Sequence, residues 1–286
     1  MTITEINEDN IFRYTDLIPA GLLGELSREY CGGLAGDDDE NDEPAASIVW
    51  EIRGVEDDNV PVEAEILWFE VSDGAEGSEL LQAFEDKMRE SRVSRVSFEL
   101  AGTGGPEESL LEAAGFATEK AESRDIYVTV SELCRLKLGT KSIPDYIKSL
   151  SEITPREFKT AVMTSVFHGK YGLLDDLPFL PMTRFDPDIS SCVITDGKVN
   201  GLILVHEVTS GTFIVELLFA MQPDASINLL NLMRYSIRTA GSLCNEDDLV
   251  ILRRHNPETE KLIKKLFPEK KGASVTRGEK SYDVED

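Results

Sequence analysis

The sequence predicts an α/β chain built from two domains in tandem, and three matches at nearly one offset carry that prediction. Glu65-Ile66-Leu67-Trp68 reappears 151 positions later as Glu216-Leu217-Leu218-Phe219. Pro106-Glu107, followed by Leu111 and Phe116, reappears at the same offset as Pro257-Glu258, followed by Leu262 and Phe267. Between these pairs, Leu80, Leu81, Phe84 and Met88 sit at 0, +1, +4 and +8, as do Leu229, Leu230, Met233 and Ile237 at an offset of 149. A period near 150 residues exceeds any solenoid repeat and is about one domain length. The boundary is expected near residue 138, giving domains 1–138 and 139–286.

Each element has a local reason. Leu22, Leu23 and Leu26 give Ile18 to Tyr30 helical spacing. Asp37 to Glu43 is an acidic run whose carboxylates repel one another, so a solvated loop is expected. Ser47 to Ile52 reads as a strand, Gly54 to Asn59 as a turn, and Ala64 to Val71 as an apolar strand covered on both faces. Ser72 to Gly77 is a loop, and Ser78 suits the cap of the following helix. Val93 to Leu100 alternates as a strand does. Gly102 to Gly105 breaks the chain, Pro106 opens a short helix and Gly115 closes it. Ile126 to Val130 is β-rich, and Leu136 to Pro144 reads as the linker. The second half then runs as a helix at Pro155 to Val166 and a hairpin turning at Asp196-Gly197. It continues with a strand at Phe213 to Met221, a helix at Ile227 to Thr239 and a strand at Leu249 to Leu252. A helix at Pro257 to Phe267 and a final strand at Ser274 to Tyr282 complete it. Residues 166–187 have no period but are too apolar for a free loop, and are expected to cover a cleft.

Composition bounds the function. The net charge is −25, of which residues 1–138 carry −22 and residues 139–286 carry −3. Nucleic acid is excluded as a partner, since that affinity rests on phosphate neutralisation by Lys and Arg. A cationic or amine-bearing small molecule or protein segment is the expected partner. No apolar run approaches a membrane span, and the N-terminus has no signal-peptide pattern. Cys31, Cys134, Cys192 and Cys244 are widely spaced, which reads as buried reduced thiols in a cytoplasmic protein. The three histidines show no metal-ligand spacing, so no metal site is expected.

At Gly201-Leu202-Ile203-Leu204, Val215-Glu216-Leu217-Leu218 and Asn256-Pro257-Glu258, the second half resembles the GNAT N-acetyltransferase family. The first half resembles it at Ala64 to Phe69 and at Leu110-Leu111-Glu112-Ala113-Ala114-Gly115-Phe116. The resemblance implies two GNAT-like domains, each a mixed, mostly antiparallel sheet flanked by helices. It also implies acetyl-CoA held between two splayed strands, its pyrophosphate on the N-terminus of the long helix. The family's phosphate loop runs Arg or Gln, two residues, Gly, one residue, Gly or Ala. The first half keeps Gly74 and Gly77 but sets Asp73 and Glu76 where a cation would help. The second half has no glycine between Met221 and Ser226, leaving Ser226, Ile227 and the other first-turn amides as donors. Arg253, Arg254 and Asn256, at a strand end, are the expected side-chain contacts to an anionic cofactor.

For chemistry, the resemblance places a glutamate on the strand beside the cofactor, and Glu216 and Glu65 fall near that position. Burial disfavours a carboxylate's charged form, which suits a base. The family's acid is often a tyrosine on the short helix, but Asn256 to Phe267 contains none. Tyr235 is the expected substitute, with Tyr171 and His168 as further choices. His206 and His255 read as strand-end or surface residues. The expected function is an acyl-CoA-dependent N-acyltransferase with one working site in the second half. The alternative is an inactive GNAT-like scaffold or binding protein, with oligomeric state and acceptor left open.

Overall fold

The structure, a computed structural model, describes every residue except 40–42, 54–60, 73–75, 102–104, 137, 139–141, 171, 174–176, 222 and 283–286. In chain order the elements begin β1 (Thr2–Glu5), α1 (Ala20–Leu23), β2 (Cys31–Asp37), β3 (Pro44–Arg53), β4 (Glu63–Val71) and α2 (Ser78–Glu90). β5 (Arg95–Ala101), α3 (Pro106–Ala113), β6 (Ala117–Glu122), β7 (Asp125–Thr129), α4 (Val130–Cys134) and β8 (Ile147–Ser149) follow. Then come α5 (Pro155–Phe167), β9 (Ser191–Thr195), β10 (Lys198–Thr209), β11 (Thr212–Ala220), α6 (Ala225–Leu243) and β12 (Leu249–Arg253). The chain ends with α7 (Pro257–Leu266) and β13 (Ser274–Ser281).

Two compact units result. Unit 1 is Met1–Ser123 with Ala273–Asp286, and unit 2 is Arg124–Gly272. This division differs from the one expected at residue 138, because each unit takes a strand from beyond it. The sheet of unit 1 has the order β1-β2-β3-β4-β5-β13-β6, and that of unit 2 the order β7-β12-β11-β10-β9-β8. β13 pairs antiparallel with both β5 and β6. β7 pairs antiparallel with β12, from Thr129 opposite Leu249 to Asp125 opposite Arg253. The two strands thus hold the same place in their sheets. Strand pairing depends on a complementary edge rather than on sequence proximity, which is why a linear reading assigns both to the wrong unit. Counted on these units, unit 1 has 35 Asp+Glu against 10 Lys+Arg, and unit 2 has 19 of each. The entire net charge therefore belongs to unit 1.

Both sheets are mixed and mostly antiparallel, as expected, each with one parallel pair, β4–β5 and β11–β12. The hairpin turns at Asp196-Gly197, both at positive φ, as a two-residue turn requires. The expected helix at 18–30 is only the single turn of α1 followed by a 3-10 turn at Glu25–Ser27. It is followed by β2, which begins at Cys31 and runs to Asp37, the first of the acidic residues. The strands β1 and β6 are short and polar and gave no periodic signal. The four cysteines are free, but only Cys192 is buried, and Cys134 is exposed. Burial pushes the Cys192 thiol up to about 12, which leaves it unreactive.

Candidate functional site

The long helix of each unit shows how differently the two copies are packed. In α2, Leu80, Leu81, Phe84 and Met88 are all essentially fully buried in the core of unit 1. In α6, the matching Leu229 and Met233 line a cavity of about 840 Å³, and Leu230 is exposed. The cavity is walled by β11, β12, α6 and α7 and falls in the size range of ligand pockets.

The sheet opens because its parallel pair diverges. β11 and β12 pair only at Thr212–Leu249, Phe213–Val250 and Ile214–Ile251, although β11 runs on to Ala220. Where it parts from β12, its ladder with β10 also breaks. Leu204 faces Leu217 and Val205 faces Val215, so Glu216 is the extra residue of a β-bulge. A bulge re-aims its side chain, and here it sets a carboxylate at the opening. Glu216 is 3% exposed and lines the cavity. Its Oε1 stands 3.1 Å from Nδ1 of His206, itself buried, and its Oε2 accepts no hydrogen bond from the described residues. Native structures rarely leave a buried polar atom unmatched, so such an atom calls for a functional account. His206 Nε2 in turn lies 3.5 Å from the Arg184 guanidinium.

Residues 166–187 do reach this opening. Leu173 N–H donates to the Glu216 carbonyl at 2.9 Å, and its side chain packs with Ile214 and Ile251, the last residues of the paired stretch. Gly169 and Lys170 line the cavity. A Cβ on Gly172 would come within 2.7 Å of Leu177 and 3.0 Å of the Glu216 carbonyl, so this close crossing requires glycine.

Across the gap, His255 stands at the end of β12 and also lines the cavity. Asn256 caps α7 by accepting the Thr259 N–H on Oδ1 at 2.9 Å, which makes its Nδ2 the donor. That donor lies 2.8 Å from His255 Nε2, and His255 Nδ1 lies 3.3 Å from the Arg253 carbonyl. The network therefore selects the neutral imidazole protonated on Nδ1. Desolvation lowers the His255 pKa below its ordinary value, and the Arg253 charge adds to this. A depressed folded-state pKa means that protonation favours the unfolded chain, so stability falls as pH drops below about 6.5. His255→Gln is expected to flatten that acid limb, as urea unfolding at neutral and mildly acidic pH would show.

The remaining expected residues divide. Ser226 lines the cavity beside Ala225, at a helix N-terminus that no described side chain caps. Ile227 follows in the same first turn with its side chain exposed. The Met221 N–H is already donated to the Asn200 carbonyl at 2.8 Å. Arg253 lines the cavity but is gripped by Asp125 through two hydrogen bonds, at 2.7 and 2.8 Å. The Arg254 N–H donates to the Arg124 carbonyl. Tyr235 packs against the core of unit 2 and does not line the cavity. At 3.6 residues per turn it lies roughly 140° around α6 from the middle of the cavity-facing side. The structure therefore brings Glu216 together with His206 and His255 rather than with Tyr235. Neither histidine stood out in the sequence, since the cavity that each faces or adjoins is formed by segments far apart in the chain.

Unit 1 has the same skeleton, with its described residues past the bulge packed against one another. β4 and β5 pair from Glu63–Arg95 to Ile66–Phe98 and then part. Val49 faces Trp68 and Trp50 faces Ile66, so Leu67 is the bulged residue. The counterpart of Glu216 is thus Leu67, at an offset of 149, and not Glu65. Glu65 is paired with Arg53 at 2.8 Å. Beyond the bulge, the Val71 N–H donates to the Glu107 carboxylate of α3 at 3.3 Å. Gly77 is packed so tightly that a Cβ would lie 2.7 Å from Val71 and 2.9 Å from Leu110. Gly77 therefore serves internal packing, and Gly74 lies outside the described residues. Burial, with the Glu107 charge adding to it, raises the pKa of the neighbouring Glu70.

No protein-family model and no curated protein matches the sequence. Solved structures do match. A tandem GNAT protein from the clavulanic acid biosynthesis pathway aligns over 100% of both chains at 11% identity, with a TM-score of 0.60. A GCN5-related N-acetyltransferase from Sphaerobacter thermophilus aligns over 98% of this chain and 95% of its own, at 13% identity and a TM-score of 0.56. A putative acetyltransferase from Pyrococcus horikoshii aligns over 100% and 90%, at 14% identity and a TM-score of 0.51. With two mixed sheets, a splayed parallel pair in each and full-length agreement with a tandem protein, the chain has the tandem GNAT N-acetyltransferase fold.

Proposed function

We propose that unit 2 transfers an acyl group from a CoA thioester to an amine, and that unit 1 performs no chemistry. The observation that carries this reading is Glu216, a buried carboxylate with one oxygen unmatched among the described residues, set by a bulge into a cavity between diverging strands. The thioester would supply the activated acyl group. Its phosphates would meet the first-turn amides of α6 at Ala225, Ser226 and Ile227, aided by the helix dipole. The residues present fit such a group through backbone donors rather than side-chain charge, because Arg253 is neutralised by Asp125. Asp224 at the N-cap opposes a phosphate, so micromolar rather than tighter binding is expected.

Glu216 Oε2 is placed to receive the acceptor's ammonium and take a proton from it, leaving the neutral amine that attack requires. His206 Nδ1 lies 3.1 Å from Oε1, and a neutral His255 adds no positive charge that would repel the ammonium. The −25 charge of unit 1 would draw a cationic acceptor toward the protein. Leu67 at the unit 1 bulge, where unit 2 has Glu216, and the packing of Val71, Gly77 and Leu110 beyond it support a non-catalytic role there, which keeps the binding-protein alternative for that unit alone.

Calorimetry with acetyl-CoA tests the reading. Wild type is expected to bind in the micromolar range, and Ser226→Glu, which adds a carboxylate to the first turn of α6, to bind at least about tenfold more weakly. No heat at millimolar acetyl-CoA would overturn it.

A further inference from the structure

The cavity continues past the point where the strands part. Phe213 and Val250, ladder partners one step inside the paired stretch, still line it. So do Ile203 and Val205 of β10, and Val130 and Leu133 of α4. Along α6 the lining extends from Ala225 to Ala240, about 22 Å of helix at 1.5 Å per residue. The two ends differ in chemistry. The outer end holds Glu216, Ser226, Arg253, His255, Asn256 and Thr259. Among the described lining residues of the inner end, Ser236 alone has a polar side chain, and its buried Oγ has no hydrogen-bond partner among the described residues.

An acetyl group needs none of this inner space, since its carbonyl would lie at the opening near Glu216. Apolar internal spaces stay dry and take apolar ligands, and a void without an occupant destabilises a core. We propose that the inner chamber of unit 2 receives the hydrocarbon tail of the acyl group, so that the preferred donor is a medium- or long-chain acyl thioester rather than acetyl-CoA. This rests on the reading of unit 2 as an acyltransferase and specifies its donor. The tail would pass the strand opening and lie between α6 and the sheet, against Phe213, Val205, Ile237 and Ala240.

The test is a calorimetric series of acetyl-, butanoyl-, hexanoyl- and octanoyl-CoA, with melting curves alongside. Each buried methylene is worth up to about fourfold in affinity, so octanoyl-CoA is expected to bind at least about 100-fold more tightly than acetyl-CoA. Ala240→Leu, which fills the inner end, is expected to bring that ratio below about ten. Ser236→Leu serves the same purpose should the first variant melt early. If acetyl-CoA binds but affinity does not rise with chain length, the chamber assignment is wrong while the acyltransferase reading stands. A ratio unchanged in folded Ala240→Leu would place the tail elsewhere and overturn the assignment as well. If no thioester binds, both readings fall together.

Discussion

Glu216→Gln is expected to lower acyl transfer by about 10²- to 10⁴-fold, the usual contribution of a positioned general base. The amide keeps the shape of the side chain and can still face His206, but it cannot accept a proton from the acceptor. The Michaelis constant for the thioester should change little, because Glu216 contacts the acceptor side of the opening rather than the first turn of α6. The two readouts together separate a base from a packing residue, since misplacement of β11 would raise the Michaelis constant instead. A loss below tenfold would remove Glu216 from the mechanism and direct attention to His255.

Removal of residues 273–286 is expected to unfold unit 1. β13 lies inside the sheet, with ladders to β5 and β6 on its two sides. Its Lys280 pairs with Glu85 of α2 and donates to the Ala114 carbonyl at 2.6 Å, while Arg277 holds Glu99 at 2.8 Å. Glu85 is buried and would keep only Arg89, at 3.2 Å, of its two cationic partners. Two lost ladders add to this, against a total stability of roughly 5–15 kcal/mol for a domain. Both tryptophans, Trp50 and Trp68, belong to unit 1, so their emission reports on that unit alone. The truncated chain should show red-shifted emission and rapid proteolysis of unit 1. Unchanged emission and melting would show that β13 is dispensable.

Much of this fold was legible in the chain. The 0, +1, +4, +8 spacing located both long helices, and Asp196-Gly197 located a hairpin. Pro106 and Pro257 marked the starts of α3 and α7. These are local properties, set by side-chain periodicity and backbone preference within about a dozen residues. The site was legible only in part. Glu216 stood out as a carboxylate in an apolar strand, but its bulge, its distance from His206 and its unmatched oxygen belong to the pairing of β10 with β11.

The sequence by itself determined the repeated order of elements, the two-domain α/β class and the acidity of the first half. The tertiary structure decided which strands complete which sheet, and which copy is open. It also decided that Arg253 is neutralised by Asp125, 128 positions away, and that Glu65 and Glu216 are not equivalents. The physical reason is the same in each case. Periodicity records which face of an element avoids water, whereas strand exchange, a gap between parting strands and an ion pair arise from contacts between segments far apart in the chain. The same apolar spacing closes over a packed core in α2 and lines a cavity in α6, and only the neighbours that each helix meets distinguish the two.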